Sequence, residues 1–152
     1  LLERTAVGDR HIAERLGVGQ GGFGGEKSGH LLFADLSPTG DGLLSAITVL
    51  GLVARSGRPI GEMADAVPLD PQLQCTVPVP LGEGERLLAE PDLQNAVLQV
   101  EQTLAQTGGR VLVRLSGTEP LLRIMGEGPD GEAVRAAVEH LMEVAASLVR
   151  GR

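Results

Sequence analysis

A short run of arginine, hydroxyl and glycine residues near position 115 has the composition of an anion-binding loop. The hydrophobic alternation of the strand-like run 110–115 turns Arg114 away from the face that packs. Two arginines, two hydroxyls and glycine-exposed backbone N–H groups suit a phosphate dianion. The competing interpretation is a hairpin without a ligand, in which Ser116 and Glu119 form a capping box. The residues of the predicted phosphate site are Arg114, Ser116, Gly117, Thr118 and Arg123.

A second polar cluster lies in the segment 24–30. It combines a carboxylate, a cation, a hydroxyl and an imidazole within five positions, between glycines. On an extended segment Glu26, Ser28 and His30 alternate and point to the same side. A carboxylate beside hydroxyl-type donors is what a polyol ligand needs. The competing interpretation is a solvated polar hairpin that binds nothing.

Hydrophobic periodicity predicts the elements that position these residues. Apolar residues at i, i+3, i+4 and i+7 predict three amphipathic helices, each packed on one face, with strand-like runs between them. Helix starts are signalled by Thr39 or Asp41, by Pro91 and by Asp130, and Asp9 is expected to cap a further short helix. The predicted helices are 42–55, 92–106 and 130–150, and the predicted strands are 30–34, 73–79, 110–115 and 121–125.

Prolines and glycines between residues 56 and 71 interrupt regular structure and mark a boundary. The segments on its two sides differ in pattern. We predict that residues 1–57 are the end of an α/β domain and that 58–70 form a linker. Residues 71–152 are predicted to form a small α+β domain of strand, helix, two strands and helix.

Composition narrows the class of partner. The formal net charge is −7 with a single lysine, Lys27, which argues against nucleic acid because that ligand requires a basic surface. No apolar run approaches the length of about 18 residues that predicts a membrane span. Cys75 is the one cysteine and is expected to be a buried strand thiol. We expect a soluble, cytoplasmic protein that binds neither nucleic acid nor membranes, and the first residues suggest a piece of a longer chain.

Four motifs occur in an order and spacing that resemble the α-D-phosphohexomutases, and the resemblance covers essentially the whole chain. The motifs lie at 4–10, 24–30, 39–44 and 114–120. The resemblance implies the end of a third α/β/α domain over residues 1–57 and a fourth domain over 71–152. That fourth domain is implied to have a TATA-box-binding-protein-like fold, an antiparallel sheet with two helices, without any implication of DNA binding.

The family's chemistry is also implied by this resemblance. Its members convert a hexose 6-phosphate into the 1-phosphate through a hexose bisphosphate, which serves as intermediate and activator. A phosphoserine transfers the phosphoryl group, and Mg²⁺ held by aspartates supports the transfer. This sequence has no Asp-x-Asp-x-Asp run and no serine in the family's phosphoserine motif. The implied Mg²⁺ therefore belongs to N-terminal domains that partner this chain, and this portion alone is expected to be inactive.

Within the family, segments 24–30 and 39–42 look most like the bacterial branch that interconverts glucosamine 6-phosphate and glucosamine 1-phosphate for amino-sugar and cell-wall precursors. The alternatives are the branches for mannose or glucose phosphates, and a sugar-phosphate-binding module without catalysis. The resemblance implies that the loop from Arg114 to Thr118, with Arg123, holds the phosphate that is not reacting. The implied contacts to the hexosamine phosphate are Glu26, Ser28, His30 and Arg10, with a positioning role for His30.

Overall fold

In the computed structural model, which describes residues 2–17 and 22–151, the chain forms two compact units, Leu1–Val67 and Pro68–Arg152. The first unit contains α1 Asp9–Leu16, β1 Phe23–Gly25, β2 Leu31–Phe33, α2 Gly42–Ser56 and α3 Ile60–Asp65. The second contains β3 Gln72–Pro78, α4 Gly84–Leu88, α5 Pro91–Ala105, β4 Arg110–Leu115, β5 Leu121–Glu127 and α6 Gly131–Arg150. Strand β1 and helices α3 and α4 are absent from the sequence-based expectation, because such short elements show no full hydrophobic period.

The first unit is built around the antiparallel β1–β2 hairpin. Phe23 lies opposite Phe33, and the two rings pack with their centroids 5.1 Å apart. Helix α1 lies against β1, and Gly24 makes this close approach possible. A Cβ at Gly24 would clash with the Ile12 side chain. Ile12 and Leu32 are buried, so the packed region of this unit centres on the hairpin.

Helix α2 forms as predicted, but its apolar stripe is exposed. Asp41 caps the helix by accepting hydrogen bonds from the Leu43 and Leu44 N–H groups at 2.9 and 3.0 Å. Leu43, Ile47 and Leu50 are 72%, 60% and 64% exposed, so the expectation that this stripe packs is wrong for the described residues. Hydrophobic periodicity shows which face a helix is suited to bury, whereas burial also needs a partner surface. Strand β2 contacts α2, yet these three side chains stay exposed.

The start of α1 also differs from the expectation. Gly8 is the N-cap, and no side chain caps this helix. Asp9 is instead the first helical residue, where a carboxylate complements the helix dipole. Gly8 has a φ of 122°, which a residue with a Cβ rarely adopts. The predicted linker 58–70 contains α3, and its bounds stay a prediction.

The second unit is a three-stranded antiparallel sheet with helices on one face, in the strand order β3-β5-β4. Helices α5 and α6 pack against the strands and against each other, and this confirms the predicted antiparallel sheet with two helices. Their apolar stripes are buried as predicted: Leu93, Ala96, Val100 and Leu104 in α5, and Val134, Ala137, Val138, Leu141 and Ala145 in α6. Among the described residues, no helix is long and apolar enough to cross a membrane.

The register of the sheet determines which side chains meet on the face without helices. Residues directly opposite each other in antiparallel strands point to the same side. Leu122 and Ile124 of β5 are fully buried under the helices, so Arg123 between them points to the other face. Thr76, Arg123 and Arg114 form one row there, across all three strands. This row lies at the end of the sheet where β4 turns into β5.

Candidate functional site

The predicted phosphate loop connects β4 to β5. Residues 116–120 form an irregular turn in which no helix begins, so the capping-box interpretation of Ser116 and Glu119 is wrong. The strand register places Arg114 directly opposite Arg123. Two cationic side chains therefore start from neighbouring positions on the same face of the sheet, beside the turn.

The two arginines have weak partners. Arg114 donates from Nη1 to the Leu115 carbonyl at 3.2 Å, and Arg123 donates from Nη2 to Glu119 Oε2 at 3.2 Å. The Nε of Arg123 is buried and finds no acceptor among the described residues. Like charges placed opposite each other in a sheet are destabilising. An anion that bridges the two guanidinium groups would therefore gain more than one bound by a single arginine.

The loop itself presents unused donors. The Ser116 N–H donates to the Leu121 carbonyl at 2.8 Å, which closes the turn. In the described part of the chain, the N–H groups of Gly117 and Thr118 and the hydroxyls of Ser116 and Thr118 make no hydrogen bond. Gly117 lacks the positive φ of a left-handed backbone nest, so its amide is exposed simply by the turn. A Cβ at Gly117 would meet open space, and both Gly117 and Thr118 are exposed residues.

The second predicted cluster forms the turn of the β1–β2 hairpin and is not an extended segment. The Glu26 N–H donates to the His30 carbonyl at 2.9 Å. The turn nevertheless brings the three predicted side chains together. Ser28 Oγ donates to Glu26 Oε2 at 3.1 Å, and His30 Nδ1 lies 3.4 Å from Ser28 Oγ. Because Glu26 takes the single hydroxyl proton, we place the proton of a neutral His30 ring on Nδ1, which leaves Nε2 free as an acceptor.

Glu26 also ties this hairpin to the segment before α1. Its Oε1 accepts a hydrogen bond from the Gly8 N–H at 2.7 Å, although the two residues lie 18 positions apart. Sequence reasoning missed this contact, because a backbone N–H leaves no signal in residue types. Each carboxylate oxygen of Glu26 still has a lone pair for a further donor.

We expect Gly8→Ala to loosen this connection. The substitution forces a Cβ into a backbone conformation with a φ of 122°, which costs about 1–3 kcal/mol, although the space around it is open apart from an ordinary 3.6 Å contact with His11. The amide at position 8 should then exchange its hydrogen faster, as measured by amide exchange followed by NMR. Gly42→Ala is the matched control, since a Cβ at Gly42 meets no neighbour and its φ is not positive. Unchanged protection at position 8 would contradict the role of the Glu26 contact.

Arg10 is engaged elsewhere. Its Nε donates to Glu14 Oε1 at 2.7 Å along α1, and its side chain is 82% exposed. This hydrogen bond raises the pKa of Arg10 and lowers the pKa of Glu14. In the described part of the chain no hydrogen bond joins Arg10 to Glu26, Ser28 or His30. A sugar contact by Arg10 stays a prediction.

Other chemistry-bearing groups are not arranged as sites. Within residues 2–17 and 22–151, no group of three or more His, Cys, Asp and Glu side chains could hold a metal ion. Burial raises the pKa of the Cys75 thiol, which packs against the core, and a thiol in that state is a poor nucleophile. A cleft of about 680 Å³ lies at the end of the sheet opposite the phosphate loop, and its lining includes Pro71, Thr107, Asp130 and Arg135.

An α/β segment followed by an α+β unit with this arginine-flanked turn matches one family of enzymes. The family model "Phosphoglucomutase/phosphomannomutase, alpha/beta/alpha domain III" matches residues 2–69. The model of the "C-terminal domain" of the same family matches residues 77–144. Together the two models cover most of the sequence. The chain belongs to the phosphoglucomutase/phosphomannomutase family, the α-D-phosphohexomutases, and the resemblance read from the sequence is confirmed.

Curated relatives within this family are named phosphoglucosamine mutase. The relative from Azorhizobium caulinodans is 45% identical over 142 residues, which cover 93% of this chain and 31% of the relative. The relative from Moorella thermoacetica is 42% identical over 147 residues, which cover 97% of this chain and 32% of the relative. The chain therefore spans about a third of the length of the curated relatives it matches.

Solved structures show the same fold. The N-acetylphosphoglucosamine mutase of Aspergillus fumigatus, in complex with GlcNAc-6P and magnesium, aligns with a TM-score of 0.61 and 18% identity, over 77% of this chain and 22% of that chain. An N-acetylglucosamine-phosphate mutase of the α-D-phosphohexomutase superfamily, in a substrate complex, aligns with a TM-score of 0.57 and 21% identity, over 73% of this chain and 22% of that chain. At these identities the likeness supports the fold.

Proposed function

We propose that this chain is the substrate-binding part of a phosphoglucosamine mutase, which interconverts glucosamine 6-phosphate and glucosamine 1-phosphate through a bisphosphate. The names of relatives that are 42–45% identical over most of the chain support this substrate. One observation carries the proposal: Arg114 lies opposite Arg123 beside a turn in which the amides of Gly117 and Thr118 make no hydrogen bond to described residues. The implied domains are 1–57 and 71–152, joined by a linker over 58–70.

The phosphate loop holds the phosphate that is not being transferred. A bisphosphate intermediate must react through either of its two phosphates, and the other one needs an anchor each time. Arg114, Arg123 and the donors of residues 116–118 provide charge-assisted hydrogen bonds for that purpose. Binding energy gained at this remote phosphate positions the reacting one, and such positioning is a large part of catalysis of phosphoryl transfer.

The Glu26 cluster contacts the sugar. Glu26 accepts hydrogen bonds from sugar hydroxyls through the lone pairs that Gly8 and Ser28 leave unused. His30 accepts through Nε2 and acts as a positioning residue, because its Nδ1 is turned toward Ser28. The Gly8 contact holds Glu26 in place, which lowers the cost of ordering it when the sugar binds.

The groups that transfer the phosphoryl group belong to other domains of the same protein. When bound there, Mg²⁺ would neutralise charge that develops on the transferred phosphoryl group. The residues of this chain bind and orient, and the chain alone is expected to be inactive. We place the whole enzyme in the cytoplasm, where it supplies amino-sugar precursors.

The test compares sugar phosphates in the longer protein that contains this chain. We expect the highest kcat/KM with glucosamine 6-phosphate, and lower values with mannose 6-phosphate and glucose 6-phosphate. Equal or higher values with mannose 6-phosphate or glucose 6-phosphate would favour the second candidate, a phosphomannomutase or phosphoglucomutase. Both activities are part of the name of the matching family model. A gene without an upstream serine loop and aspartate-rich metal loop would indicate a binding module without catalysis.

A further inference from the structure

The carboxylate nearest to the opposed arginines belongs to the phosphate loop itself. Glu119 Oε2 accepts from Arg123 Nη2 at 3.2 Å, and no anion from another described residue reaches Arg114. A carboxylate that stayed in place would repel the phosphate dianion that this loop is proposed to bind.

We propose that Glu119 is an internal competitor of the phosphate: it occupies Arg123 when the loop is empty and leaves when a phosphate arrives. Glu119 thereby lowers the affinity of the loop and favours anions that engage both arginines. This inference rests on the proposed phosphate site and adds a residue that determines its specificity.

The geometry favours displacement over a permanent role in orienting Arg123. The Glu119 side chain is 56% exposed and meets Arg123 through one nitrogen, while the buried Nε of Arg123 has no acceptor. This is not the two-bonded fork that gives arginine–carboxylate pairs their strength. Exposed ion pairs of this kind contribute little, so the phosphate has little to overcome.

Release of Glu119 requires only a rotation of its side chain. Its carbonyl accepts from the Leu121 N–H at 2.8 Å, and the Leu121 carbonyl accepts from the Ser116 N–H at 2.8 Å. The backbone of the turn is therefore fixed on both sides of the side chain that moves. The space around Gly117 is open, so the loop has room for the incoming anion.

The same arrangement discriminates between anions. A monocarboxylate such as acetate brings the same charge as Glu119, but Glu119 is tethered beside Arg123 and has the advantage of a high effective concentration. A phosphate dianion engages both arginines at once and so replaces Glu119 with a net gain. Removing the charge at position 119 should therefore strengthen the binding of both ligands by a similar factor, while phosphate keeps its advantage of two arginine contacts.

The test titrates the whole chain with inorganic phosphate at pH 8, and separately with acetate, at constant ionic strength. We expect Glu119→Gln to bind phosphate about two- to fivefold more tightly than the wild type, the range set by the loss of one exposed competing ion pair. Acetate binding should also tighten in this variant within about the same two- to fivefold range, and both proteins should bind acetate more weakly than phosphate. The glutamine keeps an oxygen that Arg123 can donate to, so an orienting role alone would leave the affinity unchanged.

Glu62→Gln is the control, because Glu62 forms an exposed ion pair with Arg58 at the same spacing of four residues and its loss changes the net charge equally. Its phosphate affinity should equal that of the wild type. Equal or weaker phosphate binding by Glu119→Gln would overturn the competitor role while leaving the phosphate site intact. If neither the wild type nor the variant binds phosphate, the phosphate site itself fails, and this inference with it.

Discussion

Replacing Arg114 by alanine is expected to reduce the affinity of this chain for glucosamine 6-phosphate by about tenfold or more. A charge-assisted hydrogen bond contributes about 1.5–3 kcal/mol, which corresponds to roughly tenfold or more in the dissociation constant. Arg114 faces away from the helices and donates to a carbonyl of its own loop, so its truncation removes no core contact. Far-UV circular dichroism of the variant should match that of the wild type.

Arg110→Ala is the matched control for this loss. Arg110 lies on the same strand and the same face of the sheet as Arg114, at the other end, where it pairs with Glu127. Both substitutions remove one positive charge, so a general electrostatic effect would weaken binding equally in the two variants. If Arg114 contacts the phosphate directly, calorimetric titration should show weaker binding of glucosamine 6-phosphate for Arg114→Ala and little change for Arg110→Ala.

Leu141→Ala should destabilise the second unit by about 2–5 kcal/mol, the usual cost of a cavity left by a buried leucine. Leu141 is fully buried in α6, in the cluster that joins both helices to the sheet. Unfolding in urea is best followed by far-UV circular dichroism, since the chain has no tryptophan or tyrosine. The midpoint should fall clearly below that of the wild type.

Leu98→Ala is the control, because it makes the same leucine-to-alanine change in a helix at an exposed position. It separates the effect of lost burial on stability from the effect of helix propensity. Leu98 lies in α5 and is 53% exposed, so its replacement by alanine leaves no closed cavity. Its free energy of unfolding should stay within about 1 kcal/mol of the wild-type value. Similar losses in the two variants would show that the helices do not pack as described.

The fold of the second unit was predictable because the surfaces that its long helices and strands pack against lie within the same unit. The buried stripes of α5 and α6 match the sequence period, and the β4–β5 hairpin lies where the turn residues indicate. The period of α2 is just as regular, yet its stripe is exposed, because periodicity does not contain the surface that must cover it. Burial was therefore predicted correctly for helices whose packing partners lie within the described part of the chain, and wrongly for α2.

The sequence indicated which residues form the candidate sites, but it did not reveal all the hydrogen bonds that they make. Arginines, hydroxyls and a glycine indicated the phosphate loop, and the register then placed Arg114 opposite Arg123. The pairing of Glu119 with Arg123 was not predicted, since the position of Glu119 also fits a capping box. Likewise, the Gly8 N–H that holds Glu26 is a backbone group, which residue types do not reveal.

The central claim is that the turn between β4 and β5 binds the phosphate of a sugar phosphate. Titration of the ¹⁵N-labelled chain with glucosamine 6-phosphate, followed by amide NMR spectra, tests it most directly. We predict saturable shifts that are largest at the amides of Gly117, Thr118 and Glu119 and that need about tenfold or more ligand to reach saturation in Arg114→Ala. Shifts centred instead on the cleft at the start of α6, around Asp130 and Arg135, would contradict the account.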